Sequence, residues 1–177
     1  MHRCRSLLPL FVCVLLLFQY CSTMLVRSFT RMPASKLSRL SLSTLSIEGK
    51  FGEKGYRAYF RDEKDAQLIS PWHDIPLRVG KNFNFISEIS KYTREKMEVN
   101  TKMPHNPISQ DILSSGEVRS YHGPIFWNYG CFPQTWENPH HLHPVIKKYG
   151  DNDPLDVVEI GSKSIPTGSV EEVNESS

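Results

Sequence analysis

The chain has 177 residues with 39% hydrophobic and 23% charged side chains, room for one globular domain and a composition that excludes wholesale disorder. The formal net charge of +2 gives no reason to expect a nucleic-acid binder, but it hides an asymmetry. Residues 1–47 hold six Arg/Lys and no acid, which leaves 15 bases against 19 acids from Glu48 onward, a net of −4. Three of the four cysteines (Cys4, Cys13, Cys21) lie in that basic leader, so Cys131 has no internal disulfide partner after it and a disulfide-framework protein is excluded.

In chain order, Arg3 and Arg5 precede an apolar run at 7–18 (LLPLFVCVLLLF) that is too short to span a bilayer and contains Pro9. It reads as the h-region of a signal peptide covering 1–23, with an uncleaved signal anchor as the alternative. Residues 24–47 hold eight Ser/Thr, four bases and no acid, a transit-peptide composition predicted to be disordered. The two parts in series resemble the bipartite address of proteins sent to plastids through the secretory pathway. Initiation at Met24 or Met32 to give a mitochondrial precursor, a secreted protein with a disordered arm, and a cytoplasmic chain whose leader goes unused are the other readings. The folded domain is placed at 48–170, followed by a disordered tail at 171–177.

Residues 55–60 (GYRAYF) are aromatic-rich and flanked by Gly52 and the polar turn Asp62-Glu63-Lys64-Asp65, which predicts a strand. Two prolines around Trp72 (SPWHDIP, 70–76) forbid a helix there. Residues 83–89 (FNFISEI) alternate, with Phe83, Phe85, Ser87 and Ile89 on one face and Asn84, Ile86 and Glu88 on the other. In KMEV (96–99), Met97 and Val99 point one way, Lys96 and Glu98 the other. Residues 128–136 are aromatic and interrupted by Gly and Pro, and VVEI (157–160) is predicted to be buried. Short strands without a long helical period predict a mainly β domain, a small barrel in preference to a sandwich.

The sharpest local feature is GDNDPLD at 150–156, where Asp151, Asp153 and Asp156 fall within six residues and Pro154 stiffens the turn. Carboxylates this close repel one another unless a cation is shared, and an oxygen-only set selects a hard cation such as Mg²⁺ or Ca²⁺. A solvated acidic turn is the competing reading. An EF-hand loop fails, because Pro, Leu and Asp stand at positions 4, 5 and 6. Alone, Lys96 and Glu98 read as an exposed surface pair, and Glu88 as an acid at a strand end or paired. The histidines of 140–143, bracketed by Pro139 and Pro144 without an acid or cysteine at ligand spacing, read as a surface loop and not a zinc site.

Taken together, SPWHDIPL (70–77), FNFISEI (83–89), KMEV (96–99), NPISQD (106–111), WNYGCFPQTWENP (127–139) and GDNDPLDVVEIG (150–161) resemble the soluble family I inorganic pyrophosphatases. The resemblance runs over about 55–168 and includes the family's D-x-D-P-x-D motif. It implies a mainly β fold, an oligonucleotide-binding-like (OB-like) β-barrel of the pyrophosphatase type, with Mg²⁺-dependent hydrolysis of pyrophosphate to two phosphates. By that resemblance Asp151 and Asp156 would ligate Mg²⁺, and Asp153 would accept the proton of the attacking water. Glu88 and Glu98 would hold the metal array and its waters, while Lys96, Arg119 and Tyr129 would contact phosphate oxygens. Two metals sharing a water acidify it enough to yield hydroxide near neutral pH, and the cations neutralise the substrate.

Two departures from the family pattern stand out. Ile125 occupies the place of a second tyrosine four residues before Tyr129, and the short 119–127 segment (RSYHGPIFW) looks like the plastid branch. After Val170 the family continues to a further acidic loop and a Tyr-Lys pair, whereas here the chain reads EEVNESS. This predicts a barrel incomplete at its C-terminal end, a truncated product of low activity, and fewer Mg²⁺ ions bound. A non-catalytic partial subunit that joins intact pyrophosphatase through exposed edges at 56–60 or 157–160 is one alternative function. A single-stranded nucleic-acid-binding barrel is another, opposed by the acidic body. A homo-oligomer is compatible with the family, with no nucleic-acid partner and no stable membrane insertion of the mature chain.

Overall fold

Aromatic and β-branched runs cut short by Gly, Pro and Asp turns favour many short strands. The computed structural model describes residues 28–31 and 43–175, and these carry eleven strands and no helix. They are β1 (Ser28–Arg31), β2 (Ser43–Glu48), β3 (Arg57–Asp62), β4 (Leu68–Ile69), β5 (Arg78–Val79), β6 (Asn82–Ile89), β7 (Met97–Val99), β8 (Ile108–Gln110), β9 (Asn128–Cys131), β10 (Asp156–Glu159) and β11 (Val170–Glu175). One sheet runs β11-β1-β10-β9-β6-β5, and β11 also pairs with β6. The strands β6, β9, β10, β1 and β11 therefore form a closed five-stranded circuit, the barrel of an OB-like fold. All its pairings are antiparallel except β1 with β10. The second sheet, β2-β3-β8-β7 with β4 on β3, packs against it.

Two apolar clusters follow from this layout. Phe85, Phe132, Val157, Ile165 and Val173 come from the barrel strands and their connections and fill its interior. Phe60, Ile86, Ile89, Met97 and Ile108 belong to the larger cluster between the two sheets. Side chains of this kind, fully removed from water, each contribute about 1.5–3 kcal/mol.

β6 departs from the expected alternation. From Asn84 to Ile89 both faces are buried, because one lines the barrel and the other meets the second sheet. Its ladder with β9 shifts register between Ser87 and Ile89. That bulge lets Ile86 and Ile89, of opposite parity, enter the same cluster, and leaves Glu88 as the extra residue between paired neighbours.

Other expectations also change. Of the stretch read as a disordered arm at 24–47, residues 28–31 and 43–47 are strand, while 24–27 and 32–42 lie outside the described residues, as does the leader at 1–23. Residues 171–175 of the polar tail are strand, not disordered, because the ladder against β6 satisfies their backbone and buries Val173. Neither proposed docking edge is open. β3 is flanked by β2 and β8, and β10 by β9 and β1. Within VVEI, Ile160 is exposed while Glu159 is buried, its carboxylate accepting from Asn128 Nδ2 at 2.6 Å and from the Gly161 N–H at 2.8 Å. No helix among the described residues is long and apolar enough to cross a membrane.

Candidate active site

Period-two alternation in β7 buries Met97 and Val99 and sends Lys96 and Glu98 to the opposite side, where Lys96 Nζ donates to Glu98 Oε2 at 2.7 Å. A third group completes the cationic half. Asp111 Oδ2 lies 3.0 Å from a terminal guanidinium nitrogen of Arg119 and 3.6 Å from Lys96 Nζ, so one oxygen faces both cations. Burial works against the charge on Lys96, but Glu98, and behind it Glu88 and Asp111, more than offset this and push its pKa upward.

The acidic turn is laced to residues 137–138. The Glu137 N–H donates to the Asp153 carbonyl at 2.9 Å, the Asn152 N–H to the Glu137 carbonyl at 2.9 Å, and the Gly150 N–H to the Asn138 carbonyl at 3.1 Å. Gly150 is required by this approach, because a Cβ there would stand 2.3 Å from the Glu137 carbonyl. Asn152 takes the left-handed conformation, φ 77°, which Asn tolerates best after Gly. Its side-chain oxygen accepts from Trp136 Nε1 at 3.0 Å. Within the turn the Asp153 N–H donates to Asp151 Oδ1 at 3.2 Å, and Thr101 Oγ1 donates to Asp153 Oδ1 at 3.1 Å, tying the turn to the segment after β7.

Glu88, only 4% exposed, reaches from the β6 bulge to accept the Val99 N–H at 2.6 Å. Its pKa is pushed up to about 8, first by burial, with Asp156 and Glu98 adding to the rise and the Val99 N–H and Lys96 opposing it. Asp156 rises to about 6 through burial and its aspartate neighbours, although the Tyr129 hydroxyl bonds it and pulls the other way. Glu137 rises to about 7 through burial and then through Asp151, Asp156 and Asp153. Asp153 rises as well, from burial and Asp151. The Tyr129 phenol is held protonated by burial, Asp156 and Glu88. These acids thus share one field, with Lys96 as the cation that opposes it at Glu88, Asp153 and Asp156. Among the described residues no three His, Cys, Asp or Glu side chains are already gathered closely enough to cage an ion.

The structure brings Glu88, Lys96, Glu98, Tyr129, Asp151, Asp153 and Asp156 into this one electrostatic group, with Arg119 joined through Asp111. Sequence reasoning did not single out Asp111, Glu137 or Thr101. Asp111 and Glu137 end or interrupt blocks whose neighbours are uncharged, and only the register of β7 against β8 and the lacing of the turn bring them to the site. The histidines of 140–143 lie on an exposed loop.

A family model described as inorganic pyrophosphatase matches residues 85–175, half of the chain. The chain belongs to the inorganic pyrophosphatase family, and its barrel is the fold of that family's solved structures. Among curated relatives, soluble inorganic pyrophosphatase 6, chloroplastic, of Arabidopsis thaliana is 46% identical over 125 residues, covering 70% of this chain and 41% of the relative. Soluble inorganic pyrophosphatase 1, chloroplastic, of Chlamydomonas reinhardtii is 43% identical over 149 residues, covering 80% and 52%. The crystal structure of type I inorganic pyrophosphatase from Toxoplasma gondii superposes with a TM-score of 0.69 at 43% identity, over 73% of this chain and 59% of that one. The chain spans about half the length of the curated relatives it matches. The matched span reaches Glu175 and so includes β11.

Proposed function

We propose that this site hydrolyses inorganic pyrophosphate to two orthophosphates with Mg²⁺ as the resident ion. The observation that carries the reading is the set of acids around Lys96, each with its pKa raised partly by other acids. An all-oxygen donor set suits a hard cation, and a divalent ion offsets both the burial and the carboxylate repulsion that raise those pKa values. Asp151, Asp156, Glu88 and Glu98 are the residues that would hold Mg²⁺. When bound, it neutralises the phosphoanhydride and acidifies water.

The protein's own groups perform the remaining work. Asp153 accepts the proton of the attacking water, the new P–O bond forms from that water, and the bridging P–O bond breaks to release the second phosphate. Its raised pKa brings the carboxylate closer to the working pH of a general base. Lys96 and Arg119 neutralise phosphate oxygens, and the protonated Tyr129 hydroxyl serves as a donor. Glu98 pairs with Lys96 here, and a phosphate oxygen that took over the ammonium would leave the Glu98 carboxylate available as one of the groups that would hold Mg²⁺.

The chloroplastic relatives and the bipartite leader support a plastid location. The test of function is phosphate release in Mg²⁺ together with calorimetric binding of Mg²⁺-pyrophosphate. Release and binding that both weaken in Asp153→Asn and in Asp156→Asn, respectively, support the assignment. A protein that shows neither release nor Mg²⁺-dependent binding contradicts it.

A further inference from the structure

Gln110 ends β8 opposite Met97 and is only 3% exposed. Around its side chain the backbones of Lys96, Asp111 and Arg119 form a closed ring. The Lys96 N–H donates to the Arg119 carbonyl at 3.1 Å, the Arg119 N–H to the Asp111 carbonyl at 2.9 Å, and the Asp111 N–H to the Lys96 carbonyl at 2.9 Å. Gln110 Nε2 faces all three of those carbonyls, at 3.0 Å from Lys96, 3.1 Å from Asp111 and 2.7 Å from Arg119. Each carbonyl has a second lone pair after its backbone bond, and the two carboxamide protons are shared among the three. The residues of the ring are the same three whose side chains form the Lys96–Asp111–Arg119 ion-pair group.

We propose that Gln110 is a positioning residue that sets the spacing of Lys96 and Arg119 for a phosphate group. This rests on the reading of those two side chains as phosphate contacts. The donor side of the carboxamide is what matters, since Oε1 is buried and makes no hydrogen bond in the protein. A side chain of similar length with no N–H deprives these three half-buried carbonyl oxygens of their shared donor, and the ring is then free to relax and carry both cations with it. The amide makes no bond to Glu98 or to the acidic turn, so anion binding is the first property to weaken.

A double-mutant cycle in Mg²⁺-pyrophosphate affinity, measured by calorimetry on the full chain, tests this. Gln110→Met weakens binding about tenfold, the size expected when a buried hydrogen-bond donor is removed. Arg119→Lys weakens it on its own, and the loss in the double variant falls short of the product of the two single losses, because part of the Gln110 effect passes through the Arg119 guanidinium and the rest through Lys96. Gln110→Asn, which keeps the amide but shortens its reach, gives the same non-additive pattern if the Met variant does not fold. A Gln110 variant that binds as tightly as wild type, or whose loss multiplies fully with that of Arg119→Lys, overturns the inference and leaves Gln110 a residue of the core. Wild-type protein that binds no pyrophosphate overturns the functional reading as well, which separates the two failures.

Discussion

The two halves of the site are built by opposite rules. On the cationic side Lys96 and Arg119 are met by Asp111 and Glu98, and their backbones are locked to one another. On the anionic side burial, and after it neighbouring carboxylates, raise the pKa of Glu88, Glu137, Asp153 and Asp156, with Lys96 opposing the rise at three of them. The difference teaches where preorganisation ends: the protein fixes its own cations with its own carboxylates, while the acids have no comparable set of cationic partners within the site. On the proposed function, an anionic substrate would enter with its counter-ions, although the body of the chain is net negative.

The largest expected effect comes from the acidic half. Asp153→Asn removes the proposed proton acceptor and is expected to lower phosphate release by about 10²–10⁴-fold with the fold retained by circular dichroism. A loss smaller than tenfold places the base elsewhere. Next is Lys96→Met, which removes the cation that both halves share. Turnover falls by about 10²–10³-fold, and NMR titration of the metal-free protein shows Glu88, Asp153 and Asp156 taking up protons at still higher pH. Unchanged carboxylate titration would show that the two halves are independent.

A smaller effect follows from pH. Glu88, Glu137 and Asp156 have folded-state pKa values of about 8, 7 and 6, above their ordinary values of 4.5, 4.5 and 3.8. The unfolded chain therefore releases these protons first. The stability they contribute is complete below the ordinary carboxylate range and is lost as pH rises from there through 6 to 8. In chelator the Tm falls across that window, and Mg²⁺ flattens the fall. A metal-free Tm that climbs with pH contradicts the assignment. The smallest effect belongs to Trp136→Phe, which removes the bond to Asn152. At this exposed position it costs about 0.5–1.5 kcal/mol or less, read as a small rise in KM with kcat retained.

The acidic turn stands out in the sequence as three aspartates and a proline within six residues, although a solvated turn reads the same until the neighbouring blocks are added, and KMEV stands out because its alternation is complete over four residues. The β-barrel was legible as a class from its short punctuated strands. What escaped depends on pairing across the chain. Asp111 and Glu137 reach the candidate site only through register and turn lacing, which no local pattern encodes. Glu88 was foreseen, yet its burial was not, because the bulge that re-aims it is visible only in the β6–β9 ladder. β11 reads as a polar tail, but its ladder against β6 and the burial of Val173 override that composition. β1 likewise sits in a hydroxyl-rich stretch with no strand signal and gains its form from β10 and β11.

The most direct measurement is phosphate release from pyrophosphate, with Mg²⁺ and with chelator, by the wild-type chain and by the variant carrying Asn at 151, 153 and 156. The account predicts release of two phosphates per pyrophosphate that requires Mg²⁺ and disappears in the triple variant while Tm at neutral pH in chelator does not fall. Release that survives the loss of all three aspartates, or that proceeds equally in chelator, contradicts it.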